Sequence, residues 1–233
     1  MNSFRIYFLV TIFKLLMSMA GLGQTLRVGF LLRDITDMEL IETREALEFA
    51  KGSIDVRIIT GEQIISPENL NGMDLLWFHN NDSVFNGLGE PAIKAIQNYV
   101  DQGGRLLLTL EGFRLINDLG LEPVWIETRN KQAVDEGYGR QLGLHAFKEH
   151  PVFDGMNGGA YILKPVHDTT VRIHGFFDDN VPKNGEVIAV DWDYIFLREG
   201  SKLMVQYRAG KGKVLAVGGY TVFSSQNTNR AHL

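Results

Sequence analysis

Short, almost unbroken apolar runs alternate with amphipathic segments along the first half of this chain, and this alternation constrains its fold more than any other feature. The apolar runs have the length and composition of buried strands and cover 26–32, 54–60, 73–79 and 105–110. Between them, 37–50 and 90–102 carry apolar residues at helical spacing, with a short helical turn at 67–70. Strands that are apolar throughout and alternate with helices are typical of a parallel sheet covered on both faces. We therefore predict an α/β fold, a three-layer sandwich around a mostly parallel sheet.

The second half of the chain predicts extra β strands instead of further strand–helix units. Strand-like segments joined by short turns lie at 171–173, 186–190, 202–207 and 213–217. The final residues, 227–233, resemble the start of a helix that the sequence cuts short. This ending predicts a fragment, or a truncated relative of a longer protein.

The first 23 residues have the layout of a secretory signal peptide. Arg5 supplies a positive charge, an apolar run follows from Ile6 and continues past Lys14, and small residues end the segment at 21–23. We therefore expect residues 1–23 to be removed, leaving a domain at 24–233 with no stable membrane span and a periplasmic or extracellular location. The alternative is an N-terminal anchor that stays uncleaved.

Composition excludes several classes of function. The formal net charge of −5 argues against nucleic-acid binding, which needs a basic face. The chain has no cysteine, which excludes disulfides, thiolate metal sites and a cysteine nucleophile.

Several short motifs, in their order and spacing, resemble one known superfamily. They are DLLWFHN at 74–80, YVDQGGRLL at 99–107, HPVFDGM at 150–156, GKGKV at 210–214 and GGY at 218–220. Together they are similar to the class I glutamine amidotransferase-like superfamily, in its ThuA-like and β-galactosidase-trimerisation-like branch, over about residues 26–225. The resemblance implies a flavodoxin-like arrangement of the sheet. It also implies a link to carbohydrate utilisation.

The departures from that family bear directly on function. Catalytic members carry a cysteine at a tight turn after the fourth strand, and Leu110 occupies that place here. The family's His-x-Glu pair should follow the last strand, where this chain has GYTV at 219–222. Nucleophile, base and orienting acid are all missing, so we assign no catalytic residue and expect no amidotransferase or peptidase chemistry.

Polar residues follow several of the predicted strands, at the edge where open parallel sheets bind ligands. The candidate ligand-binding residues at these strand ends are Asp34, His79, Asn80, Glu111 and Tyr220. Carboxylates near an imidazole can bind sugar hydroxyls, hold a cation or transfer protons. We therefore expect these side chains to face one crevice.

Ordinary structural roles are open for the same residues. Asp34, with Asp37, can cap the helix that follows, and Glu111 can stabilise a helix N-terminus. His79 can be a histidine whose hydrogen bonds are satisfied inside the fold, and Asn80 can be a loop residue. The sequence alone leaves both interpretations open.

Other groupings give weaker signals. The histidines His145, His150, His167 and His174 lie close together, but their spacing matches no metal motif. Glycine-rich stretches at 137–140 and 155–159 do not lie between a strand and a helix, as a phosphate site requires. We therefore predict no metal and no cofactor. Aromatic residues that could stack on a sugar, although packing in the core is their commoner role, are Trp125, Tyr161, Phe176, Phe177 and Trp192.

Two classes of function remain. The first is a non-catalytic module of an exported bacterial protein that binds or scaffolds in carbohydrate utilisation, with a carbohydrate ligand or an associated or fused glycoside-degrading domain as partner. The second is a carbohydrate-active hydrolase or isomerase that uses Asp34, His79 and Glu111. The missing nucleophile favours the module.

Overall fold

A computed structural model of the chain describes residues 25–52, 54–81, 87–132, 142–146, 149–156, 159–162, 172–193 and 200–225. The predicted signal peptide, the predicted helix start at 227–233, the stretch 137–140 and His167 lie outside these residues. No helix within the described ranges has the length and apolar character needed to cross a membrane.

Strands and helices alternate in the first half, and strands dominate the second. The strands are β1 (Arg27–Leu32), β2 (Asp55–Thr60), β3 (Leu75–Asn80), β4 (Arg105–Leu110), β5 (Glu127–Gln132), β6 (Leu142–Ala146), β7 (Gly159–Ile162), β8 (Arg172–Phe176), β9 (Glu186–Asp193), β10 (Lys202–Ala209) and β11 (Gly212–Val217). The α-helices are α1 (Ile41–Lys51), α2 (Gly61–Ile64), α3 (Pro67–Leu70), α4 (Glu90–Asp101) and α5 (Leu115–Asp118). Short 3₁₀ helices cover Ile35–Glu39, Glu111–Arg114 and Pro151–Phe153.

The described strands form a nine-stranded sheet with the order β2-β1-β3-β4-β11-β10-β9-β6-β7. Strands β2, β1, β3, β4 and β11 pair in parallel. The sheet continues through antiparallel pairs to β10, β9, β6 and β7. Strands β5 and β8 form a separate antiparallel pair. The prediction of an α/β fold with a large parallel region and extra strands in the C-terminal half is therefore confirmed.

Side chains of the parallel strands alternate between two hydrophobic cores. In β3, Leu75 and Trp77 belong to the core that includes Ala46 of α1. Leu76 and Phe78, one residue along in each case, belong to the opposite core, which α4 covers. This alternation explains why the strands are apolar throughout, since both faces of the sheet are buried beneath helices.

The helix predicted at 37–50 is divided in two by an extended residue. The 3₁₀ helix Ile35–Glu39 ends at Leu40, which has φ −71° and ψ 126°, and α1 begins directly afterwards. The Asp37 carboxylate accepts hydrogen bonds from the Arg33 backbone amide at 2.7 Å and from Arg33 Nε at 2.9 Å. These contacts fix a tight first turn, and helical periodicity carries no signal for them.

Strands β5 to β7 are not predicted by the sequence patterns, and β8 extends beyond the predicted 171–173. The sequence of β5, ETRNKQ, has no apolar alternation that would indicate a strand. Its extended conformation comes with antiparallel pairing to β8, a partner distant in sequence. This pair matters for the site because β8 crosses the end of β4.

Candidate functional site

Strand β4 ends in a sharp turn at the position where the resemblance places a nucleophile. Leu110 has φ 56° and ψ −125°, a backbone conformation that few non-glycine residues adopt. The chain then enters the 3₁₀ helix Glu111–Arg114. In hydrolases, a strained strand-to-helix turn of this kind presents the nucleophile. Here the turn is present but its side chain is a fully buried leucine, which offers no group that could attack a carbonyl.

Strand β8 lies directly against this turn and closes it. The amides of His174 and Gly175 donate hydrogen bonds to the Gly218 carbonyl at 2.7 and 3.1 Å. A Cβ atom on Gly175 would lie 3.1 Å from the Leu110 carbonyl oxygen and 2.7 Å from Cβ of Phe113. Only glycine therefore lets the two backbones approach this closely. Polypeptide occupies the space above the turn, where an acyl substrate would have to bind.

Glu111, the residue after the turn, contacts a histidine of β8. His174 Nδ1 lies 3.3 Å from Glu111 Oε2, and both side chains are almost completely buried. Neither His174 ring nitrogen makes a hydrogen bond with another described residue. The contact is therefore a buried carboxylate–imidazole pair without the directed hydrogen bond that orients a catalytic base. Its burial under β8 separates it from solvent.

His79 belongs to a different buried network, at the end of β3. Its Nδ1 lies 2.7 Å from Thr109 Oγ1, and its Nε2 lies 3.2 Å from Glu42 Oε1. Thr109 Oγ1 also accepts a hydrogen bond from Trp77 Nε1 at 2.8 Å. An imidazole with its proton on Nε2 gives every group a partner, because the threonine hydroxyl then donates to Nδ1. This geometry matches the interpretation of His79 as an internally satisfied histidine.

Glu42, in the first turn of α1, connects that network to the chain after β11. Its carboxylate accepts from the Phe223 amide and, at 2.8 Å, from the Ser224 amide, in addition to the contact with His79. Burial raises the pKa of Glu42, but the hydrogen bonds from His79 and the two amides outweigh burial and hold that pKa below its ordinary value. Glu42 is therefore an ionised internal anchor for the segment that follows the sheet.

Asp34 lies at the surface, at the N-cap of the 3₁₀ helix Ile35–Glu39. Its carboxylate accepts from the Thr36 amide at 2.7 Å and from the Thr36 hydroxyl. These hydrogen bonds hold the pKa of Asp34 below its ordinary value. The contacts match the interpretation of Asp34 as a helix cap.

Asn80 and Tyr220 lie near the turn at Leu110 but differ in their surroundings. Asn80 is buried and is paired with Leu110 in the register of β3 and β4. Tyr220 has φ 62° and donates a hydrogen bond from its hydroxyl to Asp191 Oδ1 at 2.6 Å. Its ring is nearly buried and belongs to the core on the α1 face. Both residues therefore contribute to the closed edge of the sheet.

The five sequence candidates thus fall into separate local environments, and their important partners are residues that the sequence reasoning did not single out. Glu111 meets His174, while His79 meets Glu42 and Thr109. A signal for Glu42 existed, because it lies four residues before Ala46 on the buried stripe of α1. No comparable signal marks Thr109 or the contact between Glu111 and His174.

Within the described ranges, no group of three or more His, Asp or Glu side chains is placed to hold a metal ion. Two of the sequence histidines have local roles instead. His150 accepts the Val152 amide at 3.2 Å and caps the 3₁₀ helix Pro151–Phe153, and His174 faces Glu111.

No model of a known protein family matches the chain, and no curated protein matches its sequence. Solved structures do match its fold. A ThuA-like protein from Bacteroides uniformis gives a TM-score of 0.55 at 11% identity, covering 92% of this chain and 90% of that one. A GMP synthase glutamine-amidotransferase-type component, so named, from Thermoplasma acidophilum gives 0.51 at 12% identity, covering 90% of this chain and 91% of that one.

A β-galactosidase from Bacillus circulans sp. alkalophilus also matches, with a TM-score of 0.52 at 12% identity. The match covers 86% of this chain but only 29% of the β-galactosidase chain. Identities this low show a shared fold and nothing finer. The neighbours confirm the predicted flavodoxin-like fold and include the ThuA-like group that the sequence motifs resemble.

Proposed function

We propose that this chain is a non-catalytic domain of the class I glutamine amidotransferase-like superfamily, in its ThuA-like and β-galactosidase-trimerisation-like branch. It acts by binding or scaffolding within an exported carbohydrate-utilisation system. The motifs between 74 and 220 and the likeness of its fold to ThuA-like proteins support this assignment. The signal-peptide pattern at residues 1–23 supports export to the periplasm or beyond the cell.

The observation that carries the proposal is the leucine at the strained turn. Leu110 keeps a backbone with φ 56°, yet its side chain is aliphatic and buried. Gly175 packs against its carbonyl group, so the turn is closed as well as chemically inert. Acyl-transfer chemistry needs an exposed nucleophile with an adjacent base, and both requirements fail at this turn.

The alternative, a hydrolase or isomerase that uses Asp34, His79 and Glu111, receives less support from the geometry. Asp34 is engaged at the surface as a cap, whereas His79 is bonded on both nitrogens inside the fold. Glu111 is buried against His174. Acid–base catalysis needs its groups within reach of one substrate, and these three carboxyl and imidazole groups are held in different surroundings.

A carbohydrate ligand and a glycoside-degrading partner domain follow from the same comparison. The matching part accounts for only 29% of the B. circulans β-galactosidase chain, so a domain of this fold occurs there beside other domains. We extend that arrangement to this chain as association with, or fusion to, a glycoside-degrading domain.

Turnover assays test the absence of catalysis. The purified full chain is incubated with glutamine and with chromogenic α- and β-glycosides of glucose, galactose and mannose, beside the variants Glu111→Gln and His79→Ala. We expect no turnover by any of the three proteins. Hydrolysis of a glycoside by the wild type that Glu111→Gln abolishes, in a variant whose circular dichroism is unchanged, would establish the enzyme instead.

Export is tested separately, by expressing the full chain in a bacterial host and sequencing the N-terminus of protein from the periplasm and the medium. The proposal predicts a mature N-terminus near residue 24. Protein that stays in the cytoplasm with Met1 intact would contradict it.

A further inference from the structure

Trp125 has the most exposed large aromatic side chain among the described residues of the buried and surface layers. It is 64% exposed, whereas Trp77 is completely buried. Its neighbours in the chain face the opposite way, because Val124 packs against the core on the α4 face and Ile126 belongs to it. The exposure of Trp125 is therefore a feature of a loop whose other apolar residues are anchored inside.

The loop that carries Trp125 is fixed from below by one side chain of α5. Asn117 Nδ2 donates hydrogen bonds to the carbonyl groups of Glu122 at 2.7 Å and Val124 at 2.9 Å. Asn117 Oδ1 accepts the Ile126 amide at 3.4 Å. One amide side chain thus holds the backbone on both sides of Trp125.

A second clamp joins this loop to the segment before β9. The buried Glu122 carboxylate accepts the Val124 amide at 3.1 Å and the amides of Lys183 and Asn184 at 3.1 and 3.0 Å. Asn184 Nδ2 donates in return to the Leu121 carbonyl at 2.8 Å. Because the loop is held this firmly before any ligand arrives, binding to it would cost little conformational entropy.

Charged groups border the indole. The Arg114 guanidinium carbon lies 5.7 Å from the centre of the Trp125 ring, within the range of a cation–π contact. Asp118 follows Arg114 by one helical turn. Burial raises the pKa of Asp118 more than the Arg114 charge lowers it. A flat apolar surface is thus edged by a fork of hydrogen-bond donors and by a carboxyl group.

We propose that Trp125 is a stacking platform for a sugar ring, with Arg114 and Asp118 meeting the hydroxyl groups at its rim. This inference rests on the proposed function, because it names the surface through which the module binds carbohydrate. A sugar ring combines an apolar C–H face with a border of hydroxyl groups, and this surface has the complementary composition.

The size and charge of the surface favour a sugar over a macromolecule. Roughly 100–160 Å² of the indole is exposed, taking about 150–250 Å² for a whole aromatic side chain. That area suits one sugar ring, whereas a stable protein interface covers about 800 Å² on each partner. The chain's net charge of −5 disfavours an anionic membrane surface.

Calorimetric titration of the full chain tests the platform. The probes are the β-1,4-linked hexasaccharides of glucose, xylose and mannose and β-1,4-galactotetraose. We expect at least one probe to bind, Trp125→Ala to raise its Kd at least tenfold, and Trp125→Phe to raise it less than Trp125→Ala does. Ile35→Ala is the matched control, because Ile35 is 63% exposed on the separate 3₁₀ helix, and it should leave Kd unchanged.

The outcomes separate this inference from the proposed function. Binding with a Kd that Trp125→Ala does not change would overturn the platform and leave the binding module intact. Absence of binding by all four probes would overturn both. An unchanged sugar Kd together with loss of an oligomer in sedimentation velocity would assign Trp125 to a protein interface instead.

Discussion

Replacing Glu42 with glutamine should destabilise the fold strongly although the side chain keeps its shape. The carboxylate accepts three hydrogen bonds, from His79 Nε2 and from the amides of Phe223 and Ser224. Glutamine has one acceptor oxygen. If that oxygen keeps the position of Oε1, the new amide group points its own donors at the Ser224 N–H.

The magnitude follows from these contacts. A buried donor left without an acceptor costs about 1–3 kcal/mol, and the two remaining bonds lose charge assistance worth roughly 0.5–1 kcal/mol each. We expect Glu42→Gln to lower the free energy of unfolding by about 3 kcal/mol. For a domain of this size the corresponding fall in Tm is roughly 6–12 °C.

Urea denaturation followed by circular dichroism measures this change. Glu48→Gln is the matched control, since Glu48 lies on the same helix with its side chain 68% exposed and forms an ion pair with Lys51 at the surface. The control should unfold close to the wild type. A Glu42→Gln variant within about 0.5 kcal/mol of the wild type would refute the account of Glu42 as an internal anchor.

The same residue sets a pH dependence. The pKa of Glu42 in the folded state lies below its ordinary value of 4.5. Its contribution to stability is therefore complete above pH 4.5 and is lost as the pH falls through the lower, folded-state pKa. The difference in unfolding free energy between wild type and Glu42→Gln should shrink over this acidic range, and a difference that grows on acidification would contradict the assignment.

Two further substitutions test the packing around the site. Gly175→Ala should destabilise the fold by about 1–3 kcal/mol, because the added Cβ would lie 2.7 Å from Cβ of Phe113. Gly89→Ala, where the nearest atom would be 3.8 Å away, should be tolerated, and equal Tm values for the two variants would rule out the tight contact of β8. Glu122→Gln should cost about 2 kcal/mol and speed hydrogen exchange at the amides of 183–185, and unchanged exchange there would show that the carboxylate does not clamp that loop.

The parallel part of the fold was predictable because both of its faces are buried. A strand such as β3 must then be apolar at every position, and such a run stands out in a sequence. Strand β5 was not predictable, since ETRNKQ lies outside the large sheet and owes its conformation to pairing with β8. Local composition carries no record of a pairing partner that distant.

The site divides along the same line. The place of the turn could be read from the sequence, because Leu110 ends an apolar strand and Glu111-Gly112 follows it. The closure of the turn could not, since it depends on backbone contacts of Gly175 and Gly218 with a part of the chain far away in sequence. Glycine by itself marks neither a contact nor its partner.

The reactivity of a thiol placed at the turn tests the central claim most directly. The chain has no cysteine, so the thiol introduced by Leu110→Cys would be the only one present. Leu110 is fully buried beneath β8, and we therefore expect Ellman's reagent to react slowly with the native variant and at once after denaturation in guanidinium chloride. Stoichiometric reaction within the mixing time in native buffer, by a variant whose circular dichroism is that of the wild type, would show that the turn is open and would contradict the account.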